Sequence, residues 1–309
     1  TYTGILDFAG PVQSTLRELF KWTYGDYYFP NVRSLGGAIC MLTLVLYPYV
    51  YMLVRLALSE QSTAILEASR ILGKTSWQSL FSVALPMARP AIVAGITLAL
   101  METLADYGTV EFFGVSTFTT GIFRTWYGLG DLQTAAQLCS FLLLFVFLLI
   151  ILEKKSRNKL RFHQNKSVKK LSKINLTKGR AATAVFFSGS LVAIGFFIPA
   201  TQLLFWTLDY WKNVWDADFI NLLFNSFSLA ATSASVCALM AIFLAYSKRE
   251  FKNKAAHTSA GIAGIGYAVP GTVIAIGVLI PTAWLDNRLD YLSILYLDMP
   301  IGLLLSGSM

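Results

Sequence analysis

Two carboxylates inside or beside an apolar stretch are the residues of this sequence with the clearest capacity for chemistry. Glu102 and Asp106 occur four residues apart in METLADYG, a spacing that predicts a shared helix face. A carboxylate inside a membrane is costly, so such residues usually face a water-filled pathway or a neighbouring helix. Two interpretations remain open. Either the pair attracts a cation along a pathway, or Glu102 bonds a neighbouring helix while Asp106 lies near the outer interface.

A second pattern, GLGD at residues 128–131, is typical of intramembrane aspartyl proteases, in which two carboxylates share one proton. Asp106 is the nearby candidate for the second carboxylate, but it precedes Tyr107, whereas those proteases carry tyrosine before aspartate. Asp131 falls at the outer end of an apolar run instead of within it. The pattern is therefore weak evidence for a protease, and we predict that the chain is not an enzyme.

Metal and nucleotide chemistry have little support in the sequence. The cysteines Cys40, Cys139 and Cys237 lie in apolar runs without CxxC spacing, which is typical of small buried hydrophobes. The histidines His163 and His257 stand in basic stretches without a second ligand at helical spacing. No G-x-x-x-x-G-K-[ST] phosphate loop occurs. We therefore expect no catalytic residue, no metal, no bound cofactor and no ATP hydrolysis by this chain.

The elements that would position these residues are membrane-spanning helices. With 55% apolar and only 14% charged residues in a chain of 309, too little polar surface is available for a soluble globule. A bilayer core requires about 20 mostly apolar residues per helix, and six stretches qualify. The expected fold class is all-α, a polytopic transmembrane helical bundle. The six predicted spans are 36–57, 91–108, 132–152, 181–204, 222–246 and 259–284.

The charge distribution predicts which side of the membrane each loop occupies, because Lys and Arg near helix ends favour the cytoplasm. With residues 55–90, 153–180 and 247–258 inside, the inner segments hold 19 Lys and Arg against four Asp and Glu. The outer segments hold six against twelve. The net charge of +8 thus reflects membrane sidedness. Membrane lipid is an expected partner, and nucleic acid is not.

The polar insert EASRILGKTSWQSLFSVALP, residues 67–86, lies between the first two predicted spans on the inner side. Its residues predict a helix beginning near residue 62, a left-handed turn at Gly73, and a second short helix. Thr75 or Ser76 would cap that second helix, and Pro86 would end it. The result would be a helix-turn-helix outside the bilayer.

This insert resembles the cytoplasmic EAA loop of binding-protein-dependent ABC importer permeases. Ser69 stands in place of the second alanine of that pattern, and Val83 in place of its isoleucine. The resemblance implies that the loop seats on a cytoplasmic ABC ATPase dimer, a separate subunit that hydrolyses ATP. Glu67 would be the polar anchor. The ATPase-coupling residues implied by the resemblance are Glu67, Ala68, Ser69, Gly73, Leu85 and Pro86.

Longer stretches, among them TYTGILDFAGPVQ, LVLYPYVYML and GYAVPGTVIAIG, resemble the fused, two-half permeases of ferric iron importers. That resemblance implies a multi-pass protein of the bacterial inner membrane, a periplasmic substrate-binding protein as partner, and alternating access. It also implies a longer protein. Residues 1–152 would be the later part of the first half, 153–180 a basic cytoplasmic linker, and 181–309 the start of the second half. Related permeases import thiamine or phosphonates.

Two further segments are candidates for the transport pathway and for docking. Tyr267, Pro270 and Gly271 lie in a predicted span, where proline and glycine allow a bend; the resemblance would place them along the pathway, and a static kink is the alternative. The aromatic segment 109–131 is an interfacial element and a candidate docking surface for the binding protein. A secondary transporter is the remaining alternative; it would need inverted repeats and no EAA loop.

Overall fold

The computed structural model describes residues 1–23, 25–61, 63–158, 176–250, 258, 261, 263–264 and 266–297. In this part of the chain the regular structure is helical. The chain divides into two compact units. The first comprises Thr1–Tyr28 and Thr183–Ala268, and the second comprises Phe29–Ala182 and Val269–Met309.

Five helices of the described residues are long and apolar enough to cross a membrane, which confirms the first five predicted spans within a few residues at most ends. We call them spans 1 to 5. They are Leu35–Ser59, Ser76–Ala105, Leu132–Lys155, Lys178–Trp211 and Asp218–Ser247. Their outward surfaces are apolar, as a lipid environment requires.

Shorter helices connect or precede the spans. Two of them precede span 1, one lies between spans 1 and 2, and two lie between spans 2 and 3. A last long helix follows span 5. These helices are Tyr2–Leu6, Pro11–Phe20, Thr63–Ile71, Gly108–Phe112, Phe118–Phe123 and Gly271–Leu297.

Span 2 begins well before residue 91, and the prediction that Pro86 ends a separate short helix is wrong. A π-helical turn, Leu80–Ala84, precedes the proline, and the Leu85 amide donates to the Leu80 carbonyl. Pro86 then lies in the first turn of the α-helical segment Leu85–Ala105, where its missing N–H is least costly. The wider π turn thus lets the chain continue as one helix from Ser76 to Ala105.

The sixth predicted span, 259–284, is also wrong in its bounds. The described chain forms a 3₁₀ turn at Gly266–Ala268, passes Pro270, and starts a helix at Gly271. That helix continues to Leu297 through the polar residues of LDNRLD. Proline disfavours helical geometry in the residue before it, which explains a start after Pro270.

The second unit has a packed core where span 3 meets its neighbours. Ile122, Ala135, Cys139, Leu142 and Ile276 form one buried cluster. Spans 1 and 2 pack closely along each other as well. A Cβ added at Gly95 of span 2 would lie only 2.7 Å from the Cα of Val50 in span 1. Small residues allow this backbone approach between membrane helices.

In the first unit, the N-terminal helix Tyr2–Leu6 lies against span 4. The Tyr2 hydroxyl donates to the Ile194 carbonyl at 2.7 Å. Gly4 lies against the Trp206 ring, since a Cβ there would come within 2.6 Å of it. Ile194 belongs to a π-helical turn, Ala193–Phe197, inside span 4.

The basic run predicted as a linker, 153–180, is described only at its two ends. The helix that contains span 3 continues to Asn158, and the next begins at Lys178. Residues 159–175 lie outside the described residues. The division of the chain into two halves around this run stays a prediction.

Candidate functional site

The helix Thr63–Ile71 and the start of span 2 form a hairpin, which we define as residues 63–84. Its turn is built as the sequence predicted. Gly73 has φ +83°, which confirms the left-handed turn. The Lys74 amide donates to the Ser69 carbonyl at 3.1 Å and the Gly73 amide to the Arg70 carbonyl at 2.9 Å. This pair of bonds is the Schellman arrangement that ends a helix at a glycine.

The second arm of the hairpin begins with a capping box. Thr75 is the N-cap, and its hydroxyl accepts from the Gln78 amide at 3.3 Å. The Gln78 side chain in return accepts from the Thr75 amide at 2.9 Å. Both bonds satisfy amides that a helix start leaves without partners. The predicted cap at Thr75 is confirmed.

Polar contacts hold the two arms together from the inside. The Ser69 and Ser79 hydroxyls bond each other, and both residues are buried. Gln61, just before the hairpin, is buried too, and its amide donates to the Ala84 carbonyl at 2.9 Å. An exposed contact also crosses the hairpin: the Lys74 ammonium donates to the Ser82 hydroxyl at 2.8 Å. The sequence prediction missed Gln61 and Ser79.

The outside of the hairpin is apolar. Ile71 and Leu72 are 85% and 81% exposed, and Trp77 and Phe81 are 71% and 62% exposed. The rings of Trp77 and Phe81 stack with centroids 6.0 Å apart. Large apolar side chains on the surface of a connection between spans are typical of a contact with another protein or with the membrane.

The predicted coupling residues take different places in this hairpin. Glu67 and Ala68 are exposed on the first arm, Ser69 is buried between the arms, and Gly73 makes the turn. Leu85 and Pro86 follow the π turn in span 2 and are half-buried. Ser69 and Gly73 thus stabilise the hairpin itself, whereas Glu67 is exposed and can contact a partner.

The family of the hairpin-bearing segment follows from comparison with known proteins. Residues 31–158, which contain spans 1 to 3 and the hairpin, match the family model described as binding-protein-dependent transport system inner membrane component. This segment is similar to that family. The family's description as an inner membrane component agrees with the apolar helices of spanning length among the described residues.

The names of the relatives that the chain matches give different transported substrates. The Fe(3+)-transport system permease protein FbpB 2 of Haemophilus influenzae is 25% identical over 81% of this chain and 50% of the relative. The molybdenum transport system permease protein ModB of H. influenzae is 24% identical over 45% of the chain and 61% of the relative.

A third relative is the putative 2-aminoethylphosphonate transport system permease protein PhnU of Salmonella typhimurium. It is 32% identical over 38% of the chain and 41% of the relative. The chain spans about half the length of the iron-transport relative. No solved structure matches the chain significantly.

Glu102 and Asp106 do not share a helix face, so that prediction is wrong. The helix ends at Ala105, and Asp106 is extended, with φ −73° and ψ 124°. Its Oδ1 accepts from the Thr109 amide at 3.2 Å, and its Oδ2 is buried without a hydrogen-bond partner among the described residues. Glu102 is half-buried within span 2. A pathway role for either residue stays a prediction.

Tyr267 and the pair Pro270 and Gly271 are not brought together in one compact unit. Tyr267 belongs to the first unit and is exposed, whereas Pro270 and Gly271 belong to the second. The Pro270 carbonyl accepts from the amides of Val273 at 3.0 Å and Ile274 at 3.2 Å, starting the last long helix. The proline thus marks a helix start. A role of these three residues in transport stays a prediction.

Asp131 of the GLGD pattern caps span 3. Its Oδ1 accepts from the Thr134 amide at 2.9 Å, and its Oδ2 from the Thr134 hydroxyl at 2.5 Å. These hydrogen bonds, the hydroxyl first, hold the pKa of Asp131 below its usual range. Both carboxylate oxygens of Asp131 are thus bonded to Thr134, which is the arrangement of a helix N-cap.

Proposed function

We propose that the chain forms the transmembrane part of an ATP-driven, binding-protein-dependent importer, and that its hairpin is the seat for the cytoplasmic ATPase. The observation that carries the proposal is the inverted distribution of polar and apolar side chains in the hairpin. Its described buried side chains are small or polar, while Ile71, Leu72, Trp77 and Phe81 are exposed. A loop that served only as a connector could instead place these side chains on the lipid headgroups. A groove on a partner subunit would cover these side chains and gain their burial free energy.

The electrostatics of the hairpin fit the same partner. The hairpin lies on the side that carries the excess of Lys and Arg, which favours the cytoplasm. Glu67 is exposed on the first arm, where its carboxylate can accept charge-assisted hydrogen bonds from a cationic side chain. Glu67 thus adds a charged group beside the exposed apolar side chains, where charge complementarity can orient a partner.

Leu72→Asp tests the seat. Burying one leucine side chain is worth about 1.5–3 kcal/mol, so its loss should weaken ATPase binding by about 10- to 100-fold. Leu129→Asp is the matched control, because Leu129 is 78% exposed in a loop on the opposite side. The measurement is the affinity of the purified ATPase for the full-length permease in nanodiscs. Equal ATPase affinities for the Leu72→Asp and Leu129→Asp variants would refute the proposal that the hairpin binds the ATPase.

Glu67→Arg tests the polar anchor in the same assay. Reversal of the charge should weaken ATPase binding and reduce uptake while leaving membrane insertion intact. Glu18→Arg makes the same change on an exposed helix residue outside the hairpin and should do neither. Normal uptake by Glu67→Arg would show that this residue is not an anchor.

For the substrate, we propose ferric iron, on the strength of the iron-transport relative that aligns with 81% of this chain. Thiamine, molybdate and phosphonates are the alternatives, and a molybdenum and a putative phosphonate relative are among those matched. Uptake of labelled ferric iron is measured in cells that express the full-length gene with its neighbouring ATPase and binding-protein genes. Uptake of an oxyanion but not of iron would reassign the substrate and leave the hairpin proposal standing.

For the outer face, we propose that residues 109–131 contribute to docking of a periplasmic binding protein. The rings of Tyr107 and Phe123 lie 4.0 Å apart, and those of Trp126 and Tyr127 lie 4.5 Å apart. Tyr127 and Leu129 remain exposed beside this stack. Aromatic side chains are enriched at interfaces, where rigid rings bury area at low entropic cost. Tyr127→Asp should reduce stimulation of the ATPase by the loaded binding protein without changing ATPase binding.

A further inference from the structure

Buried polar contacts join the first arm of the hairpin, and Gln61 just before it, to span 2. Gln61 is 8% exposed, and Ser69 and Ser79 are 5% and 3% exposed. Gln61 donates to the carbonyl of Ala84, the last residue of the π turn in span 2. The two serine hydroxyls join the first arm to the second. We call Gln61, Ser69 and Ser79 the clamp.

The contacts of the clamp lie near the two ends of the helix Thr63–Ile71. The helix Thr63–Ile71 has only nine residues, a length at which an isolated helix is marginal in water. At one end it is joined to span 2 through the turn at Gly73, a residue type that resists bending poorly. Without the contacts of the clamp, motion that a bound ATPase imposes on this helix would bend the turn at Gly73 and would not reach span 2.

Hydrogen bonds suit this task better than apolar contacts. Apolar contacts tolerate sliding, whereas a buried hydrogen bond fixes direction and register, and a buried polar group left without a partner is costly. Ser69 occupies a position where the EAA pattern has alanine, so the hydroxyl bond to Ser79 is a feature of this chain's own residues.

We propose that Gln61 and the Ser69–Ser79 pair are positioning residues that make the hairpin and the base of span 2 move as one rigid body. The proposal rests on the proposed function, since it describes how motion of a seated ATPase reaches the membrane. Removal of the clamp should leave the ATPase bound but lose transport, because the exposed apolar surface is untouched while its motion no longer reaches span 2.

The first experiment separates binding from transmission. Gln61→Met keeps length and apolar bulk but removes the donor. Gln13→Met is the matched control, because Gln13 is a buried glutamine that also donates to a backbone carbonyl, that of Leu6 at 2.8 Å, and it lies outside the hairpin. We expect Gln61→Met to retain ATPase binding and to lower substrate transported per ATP by about 2- to 30-fold, the range of mutations along a coupling route. Gln13→Met should change neither.

The outcomes distinguish the clamp from the seat. Unchanged transport per ATP in Gln61→Met would overturn the clamp. Loss of ATPase binding in Gln61→Met would also overturn it, because the bond would then only fold the hairpin. A different result would contradict the proposed ATPase-binding role of the hairpin, namely normal ATPase binding by the Leu72→Asp variant.

The second experiment measures rigidity directly. Spin labels at Arg70→Cys and Arg89→Cys, both exposed positions, report the distance between the first arm and span 2 in the full-length protein, with the native cysteines replaced. We expect one narrow distribution that stays unchanged when ATP binds, and a broad one after Gln61→Met. If the distance between the two labels changes when ATP binds in the protein that retains Gln61, the rigid-body proposal is wrong.

Discussion

Gly73 offers the sharpest test of the hairpin geometry. Its φ is +83°, and no atom lies within 4 Å of the position that a Cβ would take. A substitution there therefore meets no steric neighbour, and its cost is the backbone conformation alone. For an L-residue that cost is about 1–2 kcal/mol, so Gly73→Ala should raise the population of the opened turn by about 5- to 30-fold.

Hydrogen exchange is the assay for this prediction, because the Gly73 and Lys74 amides are themselves bonded in the turn. In Gly73→Ala, the amides at positions 73 and 74 should exchange faster by that factor, while exchange in the middle of span 2 stays unchanged. Gly73→Asn is the matched variant. Asparagine tolerates the left-handed region, so its effect should be smaller.

The same factor should appear in ATPase binding, since a binding-competent conformation that is less populated lowers the apparent affinity in proportion. Two results would refute the reasoning. One is exchange in Gly73→Ala equal to that of the unsubstituted protein. The other is a larger effect for asparagine than for alanine, which would mean that side-chain bulk matters at a position where the structure shows open space.

Three other perturbations have expected outcomes. Gly95→Ala should lower Tm by the equivalent of about 1–3 kcal/mol because its Cβ would meet the span 1 backbone, whereas Gly121→Ala, with open space around it, should not. Thr272→Val should leave Tm unchanged or raise it, since the buried Thr272 hydroxyl has no partner among the described residues; a fall in Tm would contradict this. Asp131 stabilises the fold above its unfolded-state pKa, and that contribution is lost as pH falls through its lowered folded-state pKa. Thr134→Val should move the Asp131 pKa back up in an NMR titration, and an unmoved pKa would contradict the hydrogen-bond cause.

Hydropathy and local capping signals were enough to predict much of this chain. The first five spans depend on apolar length alone, and the turn at Gly73 and the cap at Thr75 depend on residues that favour those backbone conformations. Such features are encoded within a few residues of where they occur, so they are accessible to sequence reasoning.

The features that sequence reasoning missed depend on pairs of distant or specially accommodated residues. Continuation through Pro86 requires the π turn just before it, and the rule that proline ends helices gave the wrong answer. Gln61 and Ser79 look like ordinary polar loop residues, and only their partners 23 and 10 residues away reveal their burial. Asp106 left its predicted helix face because the chain turns one residue earlier.

The hairpin reverses the usual distribution of side chains, and this reversal links its stability to its proposed role. In an ordinary amphipathic helix, apolar side chains fasten the element to its own protein and leave a polar surface. Here Gln61, Ser69 and Ser79 fasten it, which leaves Ile71, Leu72, Trp77 and Phe81 for another surface. An element that transmits force needs both a firm attachment at its base and a contact at its tip. If the same apolar side chains served both, a partner could bind only by competing with the attachment. Separate polar and apolar surfaces remove that competition, so ATPase binding and transmission should be impaired independently, with Leu72→Asp weakening the first and Gln61→Met the second.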